Sequence, residues 1–200
     1  GVGDNLEGIF MVSSLSWRDL PEEVSEYRAL KETSTFWQAV YPFPYPELIL
    51  GWASERELNT LLVTALVRQE SRFQPDIRSV VVAVGLLQVM PETGEWISDQ
   101  IGEDSYTLSQ PADNVKFGTW YLDYTHSEFN ENSLYAVASY NAGPGAVAGW
   151  VEEKDFASAD EFVEQIPYPE TKGYVESVFG GYWNYLRLYD PEIANRVDAL

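Results

Sequence analysis

Apolar side chains recur at Leu58, Leu61, Leu62, Ala65 and Leu66, the i, i+3, i+4, i+7 spacing of an amphipathic helix. Ser54 and Glu57 stand before this run at the S-x-x-E spacing of a capping box, which predicts where the helix begins, and Pro75 predicts its end. A turn-rich apolar segment follows from Ile77 to Pro91. "PETGEWISDQIG" predicts a helix with Pro91 near its first position and Gly102 just past its end. "QPADNVKFGTWYLDYTHSEF" predicts another, again opened by a proline, and "NSLYAVASYNAGPG" one stopped by Gly143, Pro144 and Gly145. "SADEFVEQI" predicts a short capped helix. "PETKGYVESVFGGYWNYLRLY" predicts a long one, with Tyr174, Val175, Val178, Tyr182, Tyr185, Leu186 and Tyr189 near one face. Alternating strand patterns are scarce, so the fold class is mainly α, with about seven to nine helices. "PEEVSEYRALKE", in the first 35 or so residues, predicts one or two helices outside this set. The chain therefore divides into a helical extension over 1–35, readable as the remnant of a preceding region, and a main domain over 36–200.

Composition narrows what such a domain can do. Apolar residues make up 45% of 200, enough for a sizeable core. There is no cysteine, which excludes disulfides, thiolate metal sites and a cysteine nucleophile. The formal charge is −20, from 32 acidic against 12 basic residues, which argues against nucleic acid because phosphate contacts need clustered Lys and Arg. A polyanionic polymer would have to be held by hydrogen bonds and ring stacking. No apolar run approaches the roughly 20 residues of a membrane span. The opening "GVGDNLEG" has neither a basic n-region nor an apolar h-region, so either a signal has been removed or the chain is a piece of something longer.

Glu70 interrupts the pattern. It follows Leu66 by four residues, Val63 by seven and Leu62 by eight, and so shares their stripe. A carboxyl group in apolar surroundings has its charged form disfavoured, and its pKa rises. Protonated near neutral pH, it can donate to a leaving-group oxygen, as glycosidic cleavage requires. The competing reading is a glutamate near a helix end that is solvated or paired, here with Arg68 or Arg72. Other chemistries lack their residues. His126 is the sole histidine, no G-x-S-x-G elbow is present, and "THSEF" reads as a surface context. Zinc lacks ligands, calcium lacks its loop, and "NAGPG" lacks the Gly-Lys-Ser/Thr of a phosphate cradle and reads as a tight turn. Neither a metal nor a cofactor is expected.

"RQESRF", "SVVVAVGLLQVMPETG", "ASYNAGPGAV" and "IPYPETKGYV", in that order, resemble the soluble lytic transglycosylase family, over about Tyr41 to Tyr189. The resemblance implies a lysozyme-like helical domain, of the goose-type-lysozyme kind, with a long substrate cleft. It implies cleavage of the MurNAc–GlcNAc β-1,4 bond of peptidoglycan without water, giving 1,6-anhydroMurNAc ends, by one glutamate assisted by the substrate's N-acetyl group. On this resemblance Glu70 is the catalytic acid/base. Ser79, Gln88, Met90, Tyr140, Asn141, Glu170 and Tyr174 contact or line the substrate cleft, with Tyr140 directed towards Glu70. The implied partner is the peptidoglycan glycan strand and the implied location the periplasm or cell envelope, reached by export. A monomer is the expected state. Two departures stand out. Where the family reads S-x-x-G-A-x-G-L-M-Q, Leu87 replaces the methionine, a mild change, and Val82 replaces a glycine. A glycine there marks a positive φ or a close backbone approach, so either the backbone differs here or activity is reduced. Two other readings stay open. One is a lysozyme-like muramidase that uses water; the other is an impaired wall-binding module. Among the aromatics, 14% of the chain, most are expected to fill the core, and Tyr140, Tyr168 and Tyr174 are better cleft candidates than Trp120 or Trp183.

Overall fold

The computed structural model describes residue 29 and residues 31–191, among which nine α-helices account for the architecture. They are α1 (Ser34–Val40), α2 (Pro46–Glu55), α3 (Thr60–Ser71), α4 (Pro91–Ile101), α5 (Pro111–Glu128), α6 (Ser133–Ala142), α7 (Pro144–Glu153), α8 (Ala159–Glu164) and α9 (Pro169–Tyr189). The helices expected over 1–35 lie almost wholly outside the described residues. The only extended pairing described is isolated bridges of Val84 with Arg78 and Val89.

The centre of the fold is α3, whose Leu62, Val63, Ala65, Leu66 and Val67 are all buried. Its longest packing partner is α9, which lays Tyr174, Val175, Val178 and Tyr185 against the core. Helix α9 also packs on α6, and α5 bridges α6 to α2. Two tyrosines fix the far end of α9 by hydroxyl donation to backbone carbonyls: Tyr185 to Pro42 at 2.7 Å and Tyr189 to Tyr41 at 2.8 Å. Each joins residues more than 140 positions apart, so these hydrogen bonds close the domain.

Proline at N1 and a left-handed residue after the last turn bound α4 as its sequence requires: Pro91 opens it and Gly102, at φ +68°, ends it. Two expectations fail and a third is borne out and extended. Ser54 and Glu57 do not cap α3. Ser54 lies in the last turn of α2, a helix that the pattern did not single out, and the cap is Asn59. Its side-chain oxygen accepts from Leu61 N and Leu62 N, serving two of the unpaired amides at the helix start. Burial of Ile49 and Ala53 keeps α2 helical through Ser54. Secondly, "NAGPG" is more than a stop. Gly143, at φ +84°, ends α6 and starts α7 at once, with Pro144 at N1. Thirdly, His126 is buried. Its Nδ1 lies 2.8 Å from Leu122 O and its Nε2 3.0 Å from Ser133 Oγ, so both ring nitrogens find partners inside the α5–α6 packing.

Candidate active site

Glu70 occupies the last turn of α3. The helix ends there because Arg72 and Phe73 adopt left-handed backbone, at φ +50° and +66°. Buried Ser71 holds the exit: its hydroxyl donates to Val67 O and accepts from Phe73 N, both at 3.1 Å. Tyr174 of α9 donates its hydroxyl to Glu70 Oε1. Burial raises the Glu70 carboxyl from its ordinary 4.5 to about 7, and the Tyr174 hydrogen bond offsets part of that rise by favouring the carboxylate. The C-terminal end of the helix dipole also disfavours a negative charge there. The competing pairings with Arg68 and Arg72 are not what sets this group. Arg68 instead lies over the Tyr41 ring at 4.4 Å and reaches Val40 O. With Oε1 accepting from Tyr174, Oε2 is the oxygen free to carry and transfer the proton.

The segment between α3 and α4 folds back as a series of tight turns. Ser79 secures the first: its Oγ accepts from Ala83 N at 3.0 Å, its N–H donates to Ala83 O at 3.0 Å, and Val82 N donates to Ser79 O at 3.0 Å. Val82 within this turn sits at φ +63° with its side chain exposed. The turn thus keeps the left-handed conformation that suits glycine, and the valine bears the strain with open space around it. Gly85, at φ +79°, is different. A Cβ there would lie 2.5 Å from Asn114 Nδ2 and 2.6 Å from Leu108 O, so only glycine fits. Asn114, fully buried on α5, clamps the segment through two hydrogen bonds, accepting from Leu87 N at 2.7 Å and donating to Val84 O at 2.8 Å, and ties it to the α4–α5 connection by donating to Leu108 O at 2.7 Å.

Gln88, Val89, Met90, Thr93, Tyr121, Tyr140, Asn141, Ala142 and Gly143 surround a cavity of about 250 Å³. Four of the residues singled out by sequence therefore meet in one place: Gln88, Met90, Tyr140 and Asn141. Gln88 spends its amide N–H groups on Gly85 O (2.9 Å) and Ile77 O (3.3 Å), which leaves its side-chain oxygen to accept from a ligand. Asn141 Oδ1 accepts from Thr171 Oγ1 at 2.7 Å, which leaves its amide to donate. Tyr140 donates to Leu87 O at 2.9 Å, and its own pKa is driven well above 10 by burial and by the neighbouring Glu70. Tyr140 and Glu70 are thus close in space, while the hydrogen bond to Glu70 comes from Tyr174. Glu70, Ser79, Glu170 and Tyr174 are not in the cavity wall; Glu70 and Tyr174 stand behind it, next to Tyr140. Glu170 is exposed one turn before Tyr174 on the same side of α9. Sequence reasoning missed Asn114, Thr93 and Tyr121. Asn114 had a readable signal, a polar residue in step with Phe117, Gly118 and Tyr121 on the inner side of its helix, the same irregularity that drew attention to Glu70.

A core helix ending in a half-buried carboxyl whose pKa is raised, close to a cavity of tyrosines and side-chain amides, defines a lysozyme-like helical domain. The chain belongs to the Transglycosylase SLT domain family, whose model matches residues 47–163. It is 36% identical over 152 residues to the soluble lytic murein transglycosylase of Escherichia coli K12, covering 72% of this chain and 24% of that protein. It is 33% identical over 134 residues to the membrane-bound lytic murein transglycosylase C of Haemophilus ducreyi, covering 61% and 36%. Among solved structures, the 70 kDa soluble lytic transglycosylase of Escherichia coli superposes with a TM-score of 0.75 at 30% identity, covering 93% of this chain and 30% of that one. An inactive Glu-to-Gln mutant of the lytic transglycosylase Slt from Pseudomonas aeruginosa gives 0.74 at 29% identity, covering 94% and 31%. The chain spans about a quarter of the length of the soluble curated relatives and under a third of the solved ones.

Proposed function

We propose that this chain cleaves the β-1,4 bond between MurNAc and GlcNAc of peptidoglycan without water, leaving a 1,6-anhydroMurNAc end. The observation that carries the reading is the setting of Glu70: a half-buried carboxyl in the last turn of a core helix, held by the Tyr174 hydroxyl, its pKa raised to about 7 by burial and not by a second carboxylate. A nucleophilic carboxylate partner would have to stand about 5 Å away. A lone acid is suited instead to a substrate that supplies its own nucleophile.

In the first step Glu70 gives its proton to the glycosidic oxygen. The bond from that oxygen to MurNAc C1 breaks, GlcNAc leaves with a free 4-hydroxyl, and the N-acetyl carbonyl oxygen bonds to C1. Glu70, now a carboxylate held by the Tyr174 hydroxyl, takes the proton of the MurNAc C6 hydroxyl. O6 bonds to C1, the acetyl oxygen departs, and the acetamide and the acid are both restored. The Tyr174 hydrogen bond favours the carboxylate half of this cycle, while burial favours the acid half. The free side-chain oxygen of Gln88 and the free amide of Asn141 are proposed to hold the sugar's polar groups, and Tyr140 its acetamide.

The names of the relatives support this substrate, as does the inactivity of the Pseudomonas protein bearing a Glu-to-Gln change. The names murein and membrane-bound also support action at the cell envelope, and the periplasm is the proposed location. Clearance of purified cell-wall suspensions tests the reading. Glu70→Gln is expected to lower the rate by at least about 100-fold, the usual contribution of a positioned acid. The parent's fragments are expected to be one water lighter than reducing-end fragments. Clearance by Glu70→Gln at the parent's rate would remove Glu70 as the acid, and reducing ends would make the enzyme a muramidase.

A further inference from the structure

Helices α4 and α5 meet beside the cleft in a cluster of rings that the proposed chemistry does not use. Trp96 lies 5.1 Å from Trp120 and 5.0 Å from Tyr124, centroid to centroid, and Trp120 and Tyr124 stack at 5.9 Å with planes 8° apart. Despite these neighbours Trp96 keeps 37% of its surface exposed. An open groove of about 300 Å³ runs over it, lined by Glu92, Thr93, Trp96, Tyr121, Tyr124 and Pro144. Thr93 and Tyr121 also line the cavity holding Tyr140 and Asn141. Tyr121 connects the two sets of rings, 5.3 Å from Tyr140 and 6.4 Å from Trp96. An aromatic floor therefore runs outward from the cavity without a break.

We propose that this groove is an additional sugar-binding surface that holds the glycan strand beyond the cavity. The proposal rests on the glycan reading of the site. A pyranose of a β-1,4-linked N-acetylhexosamine strand has a flat C–H face and a rim of hydroxyls. Trp96 and Tyr124 offer aromatic surface to the first, and Glu92 and Thr93 accept from or donate to the second. Continuity with the cavity selects this occupant, because a strand leaving the cavity past Tyr121 meets Trp96 next. A lining of six residues is far below the roughly 20–30 per side of a protein interface. The Glu92 carboxylate suits the hydroxyl donors of a sugar rim.

The experiment uses Glu70→Gln protein, so that binding is read without turnover, and N-acetylglucosamine oligomers of three and six units in calorimetry. The hexamer is expected to bind more tightly than the trimer. Adding Trp96→Leu is expected to cut that preference about tenfold, while Trp96→Phe restores much of it, with melting temperatures recorded for each. In protein with the groove intact, the Trp96 indole N–H resonance is expected to move with the hexamer and not with the trimer, which decides the matter even if Trp96→Leu does not fold. A hexamer preference that survives Trp96→Leu, or an indole signal indifferent to both oligomers, overturns the groove. If neither oligomer binds, the glycan reading falls with it. If both bind alike to the intact groove, only the groove proposal falls.

Discussion

A carboxyl whose pKa is raised by burial makes stability depend on pH in one direction. In the unfolded chain Glu70 ionises near 4.5, whereas in the fold it does so at about 7. Below 4.5 both states carry the proton and nothing is lost. Between 4.5 and 7 the unfolded state releases its proton first, so the fold loses stability as pH rises, and above 7 the loss is complete. At about 1.4 kcal/mol per pH unit this amounts to at most about 3 kcal/mol, less where solvent reaches the group. Glu70→Gln is therefore expected to be roughly 2 kcal/mol more stable than the parent at pH 8, with the advantage gone at pH 4, as read by urea unfolding. An advantage that did not vary with pH would show that the carboxyl is not sheltered. Val82 carries a separate cost. A non-glycine residue in the left-handed region loses about 1–2 kcal/mol, and a glycine returns about 0.5–1 of that through its freer unfolded state. With its side chain exposed, little burial is at stake. Val82→Gly is expected to stabilise the fold by about 0.5–1 kcal/mol in the same assay, and any destabilisation would contradict the strain.

At the scale of elements, the segment from Ile77 to Pro91 depends on one side chain of another helix. Asn114 satisfies Leu87 N, Val84 O and Leu108 O, and no regular strand partners are there to replace it. Removing it strands two buried polar groups and a half-buried one, at about 1–3 kcal/mol for each that water cannot reach. Asn114→Ala is expected to cost roughly 3 kcal/mol in urea unfolding and to lower wall clearance as well, because Gln88 and Tyr140 both bond to this segment. A loss below about 0.5 kcal/mol would mean that solvent replaces the clamp. The helices flanking the segment were legible in the chain. Pro91, Pro111 and Pro169 each fix the backbone of a first turn, and Gly102 an end, by local sterics alone. The start of α3 was not, because Ser54 and Asn59 both suit a cap and the choice fell to burial of Ile49 and Ala53 in α2.

The whole molecule carries a formal charge of −20, and the polymer it is proposed to cut carries carboxylates of its own. Their repulsion reaches about 30 Å at 10 mM salt and about 8 Å at 150 mM. Sedimentation with purified cell walls is therefore expected to strengthen severalfold across that range, the reverse of a basic wall-binding protein. Weakening with salt would point to a cationic docking patch.

The chain by itself determined the helical class, the order of its longer helices and the identity of Glu70 as the anomaly, because periodicity, proline and glycine act within a few residues. Its motifs also singled out Gln88, Met90, Tyr140 and Asn141 through the resemblance they carry. Only the tertiary structure decided that Tyr174, 104 residues from Glu70, is its hydrogen-bond partner, and that Tyr140 turns to Leu87. It also decided that Val82 is strained without being crowded, that His126 is buried, and that Trp96 stands open at the end of an aromatic floor. These follow from how α3, α5 and α9 pack, and contacts between residues so far apart leave no local pattern along the chain.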